Sequence, residues 1–222
     1  MNTPSRLVRY AVVAVGGVYA LALYFAHVRL DSQVKQGLAY LPTVAALAVV
    51  AFDLWLWKLP GLQRLVGRPR VDGTWYCELT PNGMSHIPEG GNWGPIESAV
   101  LIEQTFWSVS VTTMTGESRS ISTSANLRRA NGDSRKQHVL AYTYVNEPGQ
   151  QSRPRSQTHV GASELAIVGP TPKEVTGTYW TARFTAGSMT LQLVNRRTDY
   201  PTCAAALAAV PEELRPPGLG HV

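Results

Sequence analysis

The chain has 222 residues, with 20 Lys and Arg against 15 Asp and Glu, a formal net charge of +5 and a mean hydropathy of −0.08. That length suits one soluble domain plus an accessory segment, while Cys77 and Cys203, far apart and in no CxxC spacing, exclude a disulfide framework or a cysteine metal site and favour a reducing compartment. The basic excess does not single out nucleic acid, because much of it flanks apolar runs, where Lys and Arg serve as membrane anchors.

Residues 1–60 read as a transmembrane helical hairpin. The uncharged apolar run Tyr10 to Ala26 gives a first span over about residues 10–28, and a second apolar run, which holds Asp53, covers 38–57. At 1.5 Å per residue each run matches the roughly 30 Å of bilayer hydrocarbon. Tyr40, Trp55 and Trp57 stand near the ends of the second run, the depth amphipathic rings prefer. Arg6 and Arg9 precede the hairpin and Lys58, Arg64, Arg68 and Arg70 follow it, against Arg29 and Lys35 in the connecting loop. Both termini are therefore expected in the cytoplasm, with the chain a multi-pass membrane protein. A cleaved signal peptide ending at Ala20-Leu21-Ala22 is the rival, opposed by the second run that follows at once. Asp53 is expected to reach headgroup water about one turn from the surface, and Gly16-x-x-x-Ala20 to permit close helix approach of the kind that supports oligomers.

A basic linker, 61–70, leads into a β domain over 71–197. Eight segments rich in Val, Thr, Ser and Tyr, from "GTWYCEL" to "SMTLQLVNR", are separated by short turns and never by a helix. One long loop, "TPNGMSHIPEGGNWGP", follows the first strand, and "GQQSRPRS" and "ANGDS" join later ones. Adjacent strands joined this tightly predict an up-and-down antiparallel arrangement. About eight such strands close into a barrel whose interior is filled or holds one small ligand. Ser118, Ser120, Ser122 and Ser124 share one strand face, and Leu140, Tyr142, Tyr144 and Asn146 share another. A simple core would not put hydroxyls and amides there, although period-2 alternation alone leaves open which face is inward. Residues 198–222 read as a flexible tail with one or two Ala-rich helical turns. No nucleophile elbow, HExxH, Walker loop or dinucleotide-binding glycine motif occurs, so catalysis is not expected, nor is a cofactor or metal.

The order and spacing of "DGTWYCEL", "VLIEQTFWSVSVTTMTGESRSISTSANL", "LAYTYVNEP", "THVGASEL" and "VTGTYWTARFTAGSMTLQLVNR", placed behind two apolar runs, resemble one effector family of bacterial anti-phage defence. This is the two-transmembrane, β-strand-rich effector of cyclic-oligonucleotide-based signalling (CBASS), associated with CD-NTase nucleotidyltransferases. The resemblance implies a cytoplasmic barrel that binds a cyclic dinucleotide made by a partner nucleotidyltransferase during infection. It further implies ligand-induced homo-oligomers, membrane lipid as a partner, disruption of the inner membrane, and no polymeric nucleic acid.

A ligand with two phosphates and two base faces needs polar donors and aromatic planes. Arg119, Ser120, Ser122, Asn146, His159 and Arg183 are the candidate donors; Trp107, Tyr142, Tyr144, Tyr179 and Trp180 are the candidate stackers. Each has a structural alternative. Trp107 supplies core bulk, the arginines are surface charges, His159 is satisfied by a carbonyl, the tyrosines close the barrel, and Asn146 opens an ordinary turn. Two other functions stay open: a membrane-tethered lipocalin-like carrier of a small hydrophobic ligand, and a β-barrel protein-interaction module.

Overall fold

The computed structural model describes residues 4–25, 32–87, 91–130, 137–154 and 156–215. The hairpin loop with Arg29, most of the "ANGDS" turn, and the last seven residues of the tail lie outside the described residues. The chain divides into two compact units, one of residues 1–68 together with 105–108, the other of residues 69–104 and 109–222.

The first unit is helical. Helix α1 spans Pro4–Phe25 and α2 spans Ser32–Leu54; a single 3-10 turn at Leu56–Lys58 precedes α3, Pro60–Val66. The segment expected as a plain basic linker thus contains a helix. It starts on Pro60, whose missing N–H costs nothing in a first turn, and ends at Gly67, which takes the left-handed cap at φ 62°. Over their described residues, no helix is long and apolar enough to cross a membrane. The expectation of two spans therefore rests on the sequence runs alone.

Helices α1 and α2 pack through Gly16, where an added Cβ would stand 2.8 Å from Cβ of Pro42. The small-residue face expected between copies is thus used, at Gly16, within one hairpin. Asp53 also departs from expectation. It is fully buried, and its side-chain Oδ1 accepts the backbone N–H of Trp107 at 3.2 Å. Its carbonyl accepts Trp57 Nε1 at 3.1 Å and the Phe106 N–H at 2.9 Å. Phe52, Trp57, Phe106 and Trp107 pack around it in edge-on and tilted pairs at 4.9 to 6.2 Å between ring centres. The Arg68 guanidinium lies over Phe106; burial lowers its pKa, and the Asp53 charge opposes that shift. Asp53 is a structural acceptor at the heart of this unit.

The second unit is a closed antiparallel barrel of eight strands in sequence order. The strands are β1 Gly73–Pro81, β2 Ile96–Gln104, β3 Val109–Thr115, β4 Ser118–Arg129, β5 Gln137–Pro148, β6 His159–Val168, β7 Glu174–Thr181 and β8 Ala186–Asn195. β1 pairs with β8 to close the ring, so no edge is left open. One end of the lumen is plugged. Val71, Trp75, Val100, Ile102, Leu127, Leu140, Leu165, Ile167 and Leu191 form a fully apolar core there. Backbone groups at that end are capped internally: Gln104 accepts from Val71 N at 2.8 Å and donates to Pro69 O at 2.9 Å, while Trp75 Nε1 donates to Val71 O at 3.0 Å.

The segment after the barrel is more ordered than a flexible tail. Helix α4, Cys203–Ala208, is capped by Thr202 and packs Cys203 and Ala206 onto Ala99, Leu101 and Met114 of the outer wall. Those wall residues are the outward pleat of β2 and β3, which would otherwise expose apolar area to water.

Candidate functional site

Strand parity decides what the lumen contains. On β5 the even residues Leu140, Tyr142, Tyr144 and Asn146 point inward, and on β6 the odd residues from His159 to Ile167 do so. Moving away from the apolar plug, side chains change from aliphatic to aromatic to polar. Beyond the aromatic layer the lumen is an open cavity of about 200 Å³. Leu79, Ile96 and Met189 form its apolar wall. Thr113, Thr115, Ser120, Asn146, Ser163, Thr181 and Thr185 form the polar one, and Tyr144 and Tyr179 present rings to it. Ile87 and Asn92, from the long loop after β1, reach its mouth. No Lys, Arg, Asp or Glu lines this cavity among the described residues.

Several features hold the lining in place. Tyr144 lies across β6 at Gly161, where a Cβ would overlap Cζ of its ring and stand 2.5 Å from its hydroxyl. Only glycine admits the ring there. Asn146 Nδ2 donates to Ser118 Oγ and to Ser120 Oγ, each at 3.0 Å, and Ser118 Oγ lies 3.1 Å from Thr115 Oγ1. This chain spends both amide donors and leaves Asn146 Oδ1 buried without a partner. Ser163 Oγ, among the tyrosines, is likewise buried with no bond of standard geometry. Burial pushes Tyr142 above its ordinary range and raises Tyr144 and Cys77 to about 12 each, so this part of the lumen carries neutral phenols and a neutral thiol. Tyr179 is raised for the same reason.

A second hollow of about 320 Å³ adjoins the mouth, lined by Pro154, Gln157, Thr158, His159 and Arg183. His159 belongs to both hollows. Its Nδ1 is 2.9 Å from the Gln157 carbonyl, a contact in which the nitrogen donates, leaving Nε2 open. Arg183 Nη1 donates to Ser156 Oγ at 2.7 Å. Neutral hydroxyl and amide groups thus sit inside, and the Arg183 guanidinium stands beside the entrance.

The structure brings Ser120, Tyr144, Asn146, His159 and Tyr179 to the cavity and places Arg183 beside its mouth. The remaining candidates lie elsewhere. Arg119 is exposed on the outward pleat, one residue out of phase with Ser118 and Ser120. Ser122 faces inward but accepts the Val111 N–H at 2.9 Å, because a bulge between Ser122 and Ser124 disrupts the ladder there. The same bulge turns Ser124 outward, so the four serines do not share a face. Tyr142 is buried beneath the cavity, 6.0 Å from Tyr144 between ring centres. Trp107 lies in the β2–β3 turn, not in a strand, and packs with Phe52 and Phe106 in the helical unit. Trp180, on the outward pleat of β7, is 46 % exposed.

Residues not anticipated are Thr113, Thr115, Ser163, Thr181 and Thr185. Threonine is the default strand residue, so nothing marks it as lining a cavity. Ser163 sits three residues before Ala166 in a small-residue stretch and carries no signal beyond its parity with His159.

A family model described as "Cap15, cyclic dinucleotide receptor domain" matches residues 66–193, the whole barrel except its last two residues. The chain belongs to this family. It is also similar to CD-NTase-associated protein 15 of Staphylococcus schleiferi, 24% identical over 155 residues, which cover 70% of this chain and 78% of that relative. The Cap15 match ends on β8 and leaves out α1, α2 and α4.

Proposed function

We propose that the barrel is a receptor for a cyclic dinucleotide, and that the chain is a membrane-anchored effector of CBASS anti-phage defence. The observation that carries this is the half-filled lumen: an apolar plug at one end, and at the other a cavity of about 200 Å³ walled by hydroxyls, an amide and two tyrosine rings, in a chain of the Cap15 family. The Arg183 guanidinium beside the entrance suits a phosphate, and the rings suit base faces. A hydrophobic cargo, the carrier reading, would meet a buried amide oxygen, Asn146 Oδ1, left without a partner. The ligand is made by a partner nucleotidyltransferase on the cytoplasmic side. Binding shifts the chain toward self-association and disrupts the inner membrane. No reaction is assigned to the barrel.

Membrane association is supported by apolar side chains exposed on both long helices: Val13, Val15, Val18 and Leu21 on α1, and Leu41, Val44 and Leu47 on α2. Surface of this kind needs lipid or another protein to cover it.

The test uses the full chain in detergent or nanodiscs, with cyclic di-AMP, cyclic di-GMP, cyclic AMP–GMP and cyclic UMP–AMP as probes. At a hundredfold excess over Kd the cognate ligand stabilises the fold by about 2.7 kcal/mol, read as a rise in the melting temperature. The same ligand releases dye from vesicles that carry the protein. If no cyclic dinucleotide shifts the melt, the receptor reading is wrong. A shift without leakage or oligomers removes only the effector step.

A further inference from the structure

A cavity of about 200 Å³ is small for this ligand class. Pockets that enclose drug-sized molecules measure roughly 300–1,000 Å³, and a cyclic dinucleotide carries two bases on a sugar-phosphate ring. The lumen therefore takes only part of it.

Which part enters follows from the polar groups. Asn146 can only accept, since Ser118 and Ser120 hold both of its amide hydrogens. Its Oδ1 is buried without a partner, a state native proteins seldom leave unexplained. An acceptor repels phosphate oxygens and attracts N–H. No Lys or Arg lines the cavity to offset that repulsion among the described residues; Arg183 stands outside, and His159 lies on the boundary between the two hollows. Tyr144 and Tyr179 supply planes on which a base can stack. Ser163 Oγ is buried beside the Tyr142 and Tyr144 phenols with no bond of standard geometry, and a hydroxyl can both donate and accept.

We propose that the lumen admits a single nucleobase edge-first and reads it by an N–H donated to Asn146 Oδ1, with Ser163 as a second contact. The sugar-phosphate ring and the other base remain at the mouth, beside His159 and Arg183. The two bases of the ligand are thus inequivalent, and a mixed cyclic dinucleotide binds in one orientation. This rests on the reading of the lumen as a cyclic dinucleotide site.

The experiment is calorimetry of the full chain in detergent with whichever probe of the panel above binds. It is paired with synthetic counterparts in which one or both bases lack the N–H donor on their pairing edge: purine riboside for adenosine, 1-methylinosine for guanosine, N3-methyluridine for uridine. For a symmetric ligand, replacing both bases weakens binding about tenfold or more. Replacing one costs only about twofold, because the intact base still enters the lumen. For a mixed ligand, replacement at one base carries the whole loss and replacement at the other carries none. Asn146→Leu loses about the same tenfold on the parent ligand and no longer distinguishes it from the doubly replaced one. Equal affinity of parent and doubly replaced ligand for the wild-type chain overturns the proposal. So does a full loss from either single replacement, which would mean that both bases are read. Failure of every probe to bind overturns the underlying receptor reading instead.

Discussion

Gly161 is the position at which one methyl group tests the architecture of the lumen. In Gly161→Ala the new Cβ overlaps Cζ of Tyr144 and stands 2.8 Å from the Trp180 carbonyl oxygen. That oxygen is backbone, fixed by the pairing of β6 and β7, so the ring is what must give way. Overpacking of this kind costs about 1–3 kcal/mol. Strand propensity acts in the other direction, since alanine is favoured over glycine by roughly 0.5–1 kcal/mol. The net expectation is a loss of about 1–2 kcal/mol, which lowers Tm by about 2–8 °C for a chain of this size. A displaced ring also enters the cavity, so ligand affinity falls with stability. The assay is thermal unfolding of wild type, Gly161→Ala, Tyr144→Leu and the double variant. With Tyr144 removed the ring overlap is gone, and the cost falls to that of the 2.8 Å approach to the Trp180 carbonyl oxygen. Gly116→Ala, which meets nothing within 4 Å, is the neutral control. A Gly161→Ala protein as stable as wild type, or a cost that persists undiminished in the Tyr144→Leu background, would refute the packing argument.

Three further outcomes are expected. Asp53→Leu leaves the half-buried Trp107 N–H without its acceptor and Arg68 without its nearby charge, a loss of about 1–3 kcal/mol. Asp53→Asn, which keeps an acceptor, loses less in the same thermal melts, and equal losses would show that the hydrogen bond is not the cause. Cys77 and Tyr144 are raised to about 12 by burial, and Tyr142 is raised too. In the unfolded chain these groups ionise first, so their contribution is complete below about pH 8.5 and declines as pH rises toward 12, by about 1.4 kcal/mol per unit for each group in its window. Urea melts at pH 8, 9.5 and 11 read that slope, and a flat profile would mean that the thiol and phenols are solvated. Phe184 holds a left-handed φ of 59° with its side chain 82 % exposed. Phe184→Gly relieves that strain with little packing to lose and stabilises the fold by roughly 0.5–1 kcal/mol; a drop in Tm would show that the ring makes contacts worth more than the strain.

Much of the barrel was legible in the sequence because the signals are local. Eight Val-, Thr- and Tyr-rich segments with period-2 alternation, joined by short turns, leave few arrangements besides a closed up-and-down sheet, and β4 begins and ends where its residues change character. The shared face of Tyr144 and Asn146 was legible too, since parity within an unbroken strand follows from the pleat. What each face looks toward was not. Period-2 alternation is symmetric between inside and outside, so only closure of the ring sent Arg119 to solvent and Ser120 to the lumen. One bulge then separated Ser124 from the serines before it. Trp107 and Asp53 stand 54 positions apart, and no local rule joins them. The sequence by itself determined strand number, order and the alternation of side chains, because these depend on neighbours along the chain. Only the tertiary structure decided that the lumen is plugged at one end and hollow at the other, because that depends on which side chains from eight separate strands meet at the same height across the barrel.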